Sequence, residues 1–223
     1  MPGPRTFTMV VLISGSGTNL QALIDAVRNG RIPARIAAVI SNRPDAWGLE
    51  RARRAGIDAI ALDHARFASR EGFDAALQDA VDRYRPDLVV LAGFMRILTD
   101  AFVRRYAGRM INIHPSLLPA HRGLHTHQRA LEGGDRVHGV SVHYVTPELD
   151  GGPVIAQARV PVLPGDDAGA LARRVQAREH RLYPEVVDWI ARGRLRLEGG
   201  TPVLDGRPLR QPVILDGESE ALS

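Results

Sequence analysis

Three polar residues in the middle of the chain could move a proton between reactants: Asn112, His114 and Asp150. Asn112 and His114 end an apolar run, residues 110–114, which predicts a strand stopped by Pro115. Because side chains alternate along a strand, the two would share one face, about 6–7 Å apart along the backbone. An amide there could donate to a developing oxyanion, and an imidazole could carry a proton near neutral pH. Taken alone, the pair fits a core histidine and a strand-end cap better than a catalytic site.

Asp150 stands directly before Gly151-Gly152-Pro153, a sequence that predicts a sharp turn. Such a turn could hold a carboxylate at the edge of a cleft. A carboxylate next to His114 would favour the protonated form of the imidazole. By itself, however, a turn-forming aspartate is the simpler interpretation.

Three further histidines, His121, His125 and His127, suggest a zinc site together with His114. The chain contains no cysteine, and the spacing of these histidines matches no structural zinc pattern. We therefore expect no metal. The lack of cysteine also excludes disulfides and thiol nucleophiles, and it fits a cytoplasmic protein.

A glycine-rich segment, Gly15-Ser16-Gly17-Thr18-Asn19, follows the first apolar run and opens a helix. Backbone N–H groups in such a turn and the positive end of the helix favour a phosphate ligand. A nicotinamide dinucleotide fits badly, because Leu20 occupies the third glycine position and no acidic residue follows the second strand. Taken alone, the segment fits a phosphate site and a ligand-free tight turn equally well.

The basic residues are all arginine, 29 in number, and lysine is absent. This excludes a Schiff-base lysine and a Walker A lysine, and it provides groups that bind anions rather than act as bases. A formal charge of +4 and 5% aromatic residues give little support to a nucleic-acid surface. We expect no signal peptide and no membrane span, since no run of about 18 apolar residues occurs.

The elements that must position these residues alternate between strand-like and helical segments. Apolar runs predict strands at 9–13, 36–40, 57–62, 88–91, 110–114, 137–145 and 154–160. Amphipathic spacing predicts helices from near residue 19 to 29 and at 46–55, 70–84, 126–131 and 168–191, the last with a kink or break at Pro184. This alternation predicts an α/β fold of one domain: a doubly wound, mostly parallel sheet with helices on both faces.

Together, these motifs resemble the folate-dependent phosphoribosylglycinamide formyltransferase family. The resemblance is carried by residues 14–22, 91–98, 112–119, 123–127 and 148–153, and it extends from about residue 7 to 194. It implies the formyltransferase fold and an enzyme of purine biosynthesis. Such an enzyme transfers the formyl group of 10-formyltetrahydrofolate, a co-substrate, to the amine of glycinamide ribonucleotide. Residues 119–123 depart from the family pattern, in which the bond matching Leu118–Pro119 is often cis.

The resemblance also implies a role for individual residues. His114 matches the acid/base histidine, Asn112 the donor to the formyl oxygen, and Asp150 the carboxylate that tunes the histidine. The residues that match ribonucleotide contacts are Gly17, Thr18, Asn19, Gln176 and Glu179. Those that match the folate site are Arg70, Met95, Arg96, Ile97, Leu98, Asn112, Thr146, Pro147, Glu148, Leu149 and Asp150.

Within the single domain of residues 1–223, a phosphate-binding half would span about 7–107 and a catalytic and folate-binding half about 108–194. A short extension, 195–223, would end in a loose tail from residue 217. Methionyl-tRNA formyltransferase and formyltetrahydrofolate hydrolase are related alternatives, but we expect neither the extra tRNA-binding domain nor the regulatory domain. A non-catalytic phosphometabolite- or RNA-binding module would leave Asn112, His114 and Asp150 unexplained. The expected partners are small molecules, without nucleic acid or membrane, and the expected state is a monomer or weak homodimer.

Overall fold

The computed structural model describes residues 6–216, in which strands and helices alternate over most of the length. The strands are β1 (Phe7–Ile13), β2 (Ala34–Ser41), β3 (Asp58–Ala61), β4 (Leu88–Leu91), β5 (Met110–His114), β6 (Val137–Tyr144), β7 (Val154–Pro161), β8 (Leu195–Glu198), β9 (Thr201–Leu204), β10 (Arg207–Pro208) and β11 (Val213–Ile214). The helices are α1 (Thr18–Arg28), α2 (Trp47–Arg54), α3 (Arg70–Asp82), α4 (Asp100–Arg105), α5 (Thr126–Glu132) and α6 (Ala168–Ala191), with a 3₁₀ turn at His64–Arg66.

Within the described residues, eight strands form one sheet in the order β11-β7-β6-β5-β4-β1-β2-β3. From β3 to β5 all neighbours are parallel, whereas β6 is antiparallel to both β5 and β7, and β11 is parallel to β7. The predicted doubly wound, mostly parallel sheet is confirmed. The chain builds outward from β1 through β2 and β3 and then returns to place β4 on the other side of β1. This creates a topological switch point between β1 and β4, where α/β proteins bind ligands.

Helices cover both faces of the sheet, because successive side chains of an inner strand point to opposite sides. On β1, Met9, Val11 and Ile13 pack in one core with residues of α1 and α6, whereas Val10 and Leu12 pack in a second core with α3 and α4. All five side chains are fully buried. Burial on both faces explains why β1 is a continuous apolar run, and it confirms the predicted helices on both faces.

Two helices differ from the expectations. α4 was not predicted; it begins after Thr99, whose hydroxyl accepts a hydrogen bond from the Phe102 amide, and it buries Phe102 and Val103. Its six residues are too few to display a helical period in the sequence. α6 continues through Pro184 without a break, so one of the two effects expected of that proline does not occur.

After α6, the strands β8, β9 and β10 form a small antiparallel sheet, and β11 then adds to the edge of the main sheet beside β7. The tail predicted for residues 217–223 lies outside the described residues. The Leu118–Pro119 peptide bond is cis. Between residues 6 and 216, no helix combines the length and apolar character needed to cross a membrane.

Candidate active site

Two adjoining cavities open at the carboxyl ends of the inner strands. One, of about 560 Å³, contains the glycine-rich turn that follows β1, and the other, of about 450 Å³, contains the end of β5. Gly93, Met95 and Arg96, which follow β4, line both cavities. The Ser14 amide donates to the Gly93 carbonyl at 3.1 Å and so joins the segments after β1 and β4. The cavities therefore meet at the switch point.

The first cavity has the polar lining expected of a phosphate site. Gly17 precedes α1 with a left-handed φ of 71°, and its missing Cβ lets Gly48 of α2 approach closely, since a Cβ there would lie 2.7 Å from the Gly48 Cα. The first turn of α1 contains no acidic residue, so its positive end is left uncompensated. The predicted residues Gly17, Thr18 and Asn19 all line this cavity.

Across the cavity from this turn, α6 presents the two predicted side chains Gln176 and Glu179. The Gln176 amide donates to the Thr18 hydroxyl at 3.2 Å, and the Asn19 amide donates to the Glu179 carboxylate at 2.7 Å. Burial raises the pKa of Glu179, and the bond from Asn19 opposes this rise. Within residues 6–216, Asn19 Oδ1 is buried without a hydrogen-bond partner, so it is free to accept from a ligand.

The three predicted catalytic residues meet in the second cavity. His114 is buried, with its Nδ1 3.5 Å from an Asp150 carboxylate oxygen and its Nε2 3.0 Å from the His121 carbonyl oxygen. Asp150 adopts a left-handed φ of 48°, and its carboxylate also accepts the Gly123 amide at 2.9 Å. Asp150, which directly precedes the turn predicted at Gly151-Gly152-Pro153, thus places its carboxylate beside the imidazole.

A fourth polar residue of this group, His143, was missed in the sequence. Antiparallel pairing of β5 and β6 places it directly opposite Asn112, whose amide nitrogen lies 3.3 Å from His143 Nε2. Its Nδ1 contacts the Tyr144 carbonyl oxygen at 2.9 Å, so Nδ1 carries a hydrogen and Nε2 accepts from Asn112. Burial lowers the pKa of His143, which favours this neutral form. Because β6 also contains His138 and Ser141, nothing in the sequence of the strand alone singles out His143.

The loop before α5 closes one side of this group. His121 bonds through its ring to Asp135 at 2.6 Å, and Arg122 forms an ion pair with Glu148. These contacts are made by residues at which the sequence departs from the family pattern. On the other side of the loop, His127 Nδ1 lies 3.2 Å from His138 Nε2, and burial lowers the pKa of His138 to about 4. Among residues 6–216, no group of three or more acidic or histidine side chains could hold a metal ion.

Most residues predicted for folate line the second cavity or a smaller one of about 110 Å³ beside it. They are Met95, Arg96, Ile97, Leu98, Asn112, Thr146, Pro147, Glu148, Leu149 and Asp150. Met95, Ile97 and Leu149 are more than half exposed and form an apolar rim suited to a flat ring system. Arg70 is not brought to these cavities; it opens α3, where its Nε lies 3.9 Å from Glu71, so its role stays a prediction.

The fold and site define an α/β protein in which a polar cavity at a helix N-terminus adjoins an apolar cavity that contains an Asn–His–Asp group. Comparison with known proteins gives the particular family. Residues 7–187 match the family model described as formyl transferase, and the chain belongs to that family. It is a formyltransferase.

Relatives and solved structures agree on the type of formyltransferase that this chain resembles. The phosphoribosylglycinamide formyltransferase of Escherichia coli is 57% identical over 90% of this chain and 95% of its own length. The human trifunctional purine biosynthetic protein adenosine-3 is 44% identical over 85% of this chain, which spans 19% of that larger protein. A structure of the Coxiella burnetii phosphoribosylglycinamide formyltransferase in complex with CHES has a TM-score of 0.90 and 53% identity, covering 95% of this chain and all of that one.

Proposed function

We propose that this enzyme transfers the formyl group of 10-formyltetrahydrofolate to the amine of glycinamide ribonucleotide, a step of purine biosynthesis. The observation that carries the proposal is that a polar cavity joins, at Gly93, Met95 and Arg96, an apolar cavity that is lined by Asn112, His114 and Asp150. A polar cavity with a phosphate turn suits a ribonucleotide, and an apolar cavity with a polar end suits a pterin. The relatives, which bear the name of this activity, support the same assignment.

In this proposal, the polar cavity orients the ribonucleotide. Free amides of the turn at Gly17, Thr18 and Asn19 bind the phosphate, and Glu179 with Asn19 Oδ1 receives the ribose hydroxyl groups. The opposite end of the substrate then reaches Gly93 and Met95, where the two cavities join. Holding both reactants at this junction places the amine against the formyl carbon and supplies much of the rate enhancement through proximity.

The chemical step then needs a developing oxyanion to be stabilised and protons to be moved. The amine nitrogen bonds to the formyl carbon while an N–H of Asn112 donates to the formyl oxygen. The Nε2–H of protonated His114 also donates to this oxygen, in place of the His121 carbonyl that it contacts without substrate. The carbon–nitrogen bond to the folate then breaks as the folate nitrogen takes a proton from His114. The attacking nitrogen gives up one proton to the neutral imidazole that results, which restores the protonated His114. Asp150, beside His114 Nδ1, stabilises the imidazolium between these transfers.

The first test measures release of tetrahydrofolate from 10-formyltetrahydrofolate by the purified protein, with and without glycinamide ribonucleotide. We expect release only when the ribonucleotide is present, with one formylated product formed for each tetrahydrofolate. Release without the ribonucleotide would instead indicate a hydrolase. No release in either mixture would overturn the assignment of both substrates.

Glu179 provides a prediction about pH. Burial raises its pKa, so the protonated form, which offers one acceptor fewer, becomes populated at a higher pH than for an exposed glutamate. The KM for the ribonucleotide should therefore rise on acidification before an ordinary glutamate would titrate. At neutral pH, a Glu179→Gln variant should have a higher KM for the ribonucleotide than the original protein. Its KM should not rise further at low pH (the acid limb of the profile), as steady-state kinetics from pH 5 to 8 would show.

The Glu179→Gln variant also distinguishes a role of this carboxylate in substrate binding from a role in the stability of the fold. Because the folded protein holds the Glu179 proton more tightly than the unfolded chain, this residue's contribution to the free energy of unfolding declines as pH rises through the folded pKa. Glutamine retains the acceptor for Asn19 without the buried charge. We expect thermal denaturation at pH 8 to show equal or higher stability for Glu179→Gln; a large loss of stability, with an unchanged acid limb, would contradict the role given to this carboxylate.

A further inference from the structure

In the glycine-rich turn, the carbonyl groups of Gly15, Ser16 and Gly17 each accept a hydrogen bond from the protein. The donors are the Gly48 amide to the Gly15 oxygen (3.0 Å), Arg51 Nε to the Ser16 oxygen (2.8 Å) and the Gln21 amide to the Gly17 oxygen (2.9 Å). The amides of residues 16–19 show no bonded acceptor within residues 6–216. The carbonyl groups of the turn therefore already have hydrogen-bond donors, whereas its N–H groups remain available to a ligand.

Arg51 stands on the opposite side of this turn from the ribonucleotide cavity. Ser16 and Gly17 line that cavity, whereas Arg51 lines a separate cavity of about 510 Å³ between α1 and α6. In a trans peptide the C=O and N–H groups point in opposite directions. By holding the Ser16 carbonyl, Arg51 therefore directs the Gly17 N–H into the ribonucleotide cavity. This hydrogen bond matters because Gly17, which has no side chain, permits either orientation of the Ser16–Gly17 peptide.

Arg51 also brings a charge that no carboxylate within residues 6–216 neutralises. Its remaining hydrogen bond within residues 6–216 goes from Nη1 to the neutral Gln21 side chain at 3.2 Å, and no acidic oxygen lies within ion-pair distance. By contrast, Arg53 and Arg54 of the same helix both pair with Glu50. An unpaired guanidinium directly behind the turn adds positive potential where a phosphate dianion would bind.

We propose that Arg51 is a positioning residue for the phosphate of the ribonucleotide. Without contacting the ligand, it presets the Ser16–Gly17 peptide and contributes charge from behind the turn. The inference rests on the proposed function, because it takes the polar cavity as a phosphate site. It adds a residue on α2 that neither the glycine motif nor the cavity lining identifies.

The test compares Arg51→Ala with Arg53→Ala, the same change on the same helix at a residue that points away from the turn. The probe is ribose 5-phosphate, titrated by calorimetry. We expect Arg51→Ala to weaken its binding about 10- to 100-fold, the effect of losing a charge-assisted hydrogen bond, and Arg53→Ala to change it less than twofold. The KM for glycinamide ribonucleotide should rise in parallel, with kcat and the folate KM within about threefold of the original protein.

Two further measurements distinguish positioning from general folding support. Arg51→Lys retains a donor and the charge, so it should recover part of the affinity. Methylguanidinium at millimolar concentration should enter the cavity behind the turn and restore ribose 5-phosphate binding to Arg51→Ala but leave the original protein unchanged. Undiminished binding by Arg51→Ala, an equal loss in Arg53→Ala, or a loss that neither lysine nor methylguanidinium relieves would overturn the proposal.

The outcome stays separable from that of the proposed function. If the original protein binds ribose 5-phosphate but does not formylate glycinamide ribonucleotide, the proposed substrate is wrong and the comparison of Arg51 variants still decides its role. If the original protein does not bind ribose 5-phosphate, the phosphate turn and the role of Arg51 are both overturned.

Discussion

Replacement of His114 by alanine should lower kcat about 10²- to 10⁴-fold, while the KM of either substrate changes only a few-fold. The loss corresponds to about 3–5 kcal/mol of transition-state stabilisation. The imidazole lies between two acceptors, the Asp150 carboxylate at 3.5 Å and the His121 carbonyl at 3.0 Å. Such a site suits a group that gains and loses a proton. The imidazole lies in the apolar cavity, away from the turn proposed to hold the phosphate, so the affinity for substrate should be spared.

Steady-state kinetics with both substrates varied would measure the effect, and thermal denaturation would verify that the variant is folded. Added imidazole provides the control, since it should enter the space left by the side chain and recover part of kcat in His114→Ala but not in the original enzyme. A kcat within twofold of the original would mean that His114 moves no proton in the slow step. A loss confined to KM would assign it to binding instead.

Much of the fold could be predicted because burial leaves a direct mark on the sequence. β1 and β4 are covered on both faces and appear as unbroken apolar runs, and the long amphipathic pattern of α6 was found at its observed bounds. α4 was not predicted because its six residues are too few to show a helical period in the sequence. The antiparallel pairing of β6 with β5 could not be predicted from either strand, because the connection at 115–136 contains α5 and is long enough for either direction.

The parts of the candidate site that could be predicted are those that lie on, or directly after, a single strand. Asn112 and His114 share a face because they are two residues apart on β5, and the glycine turn lies directly after β1. The contacts between elements were not predictable: His143 reaches Asn112 only through the register of β5 and β6, and Arg51 reaches Ser16 from another helix. Such partners depend on how elements pack, and neither residue belongs to a local motif that marks it.

Replacement of Asp150 by asparagine should also lower kcat by about two to four orders of magnitude, with little change in stability. Asparagine tolerates the left-handed φ of 48° and can still accept the Gly123 amide, so the turn should persist. What disappears is the negative charge beside His114 Nδ1 and, at 3.7 Å, beside His143 Nε2. The imidazolium required during proton transfer then lacks its counterion.

Asp205 provides a closely matched control for Asp150. It too has a left-handed φ, of 50°, and its carboxylate pairs with Arg194 at 2.7 Å, but it lies in the turn between β9 and β10, away from both cavities. Asp205→Asn therefore imposes the same chemical change on the same backbone conformation. Equal loss of kcat in both variants would assign the effect to turn geometry rather than to charge. If only Asp150→Asn loses kcat, and its pH profile of kcat also changes, the loss comes from the interaction between the Asp150 carboxylate and His114. Asp205 has no such interaction.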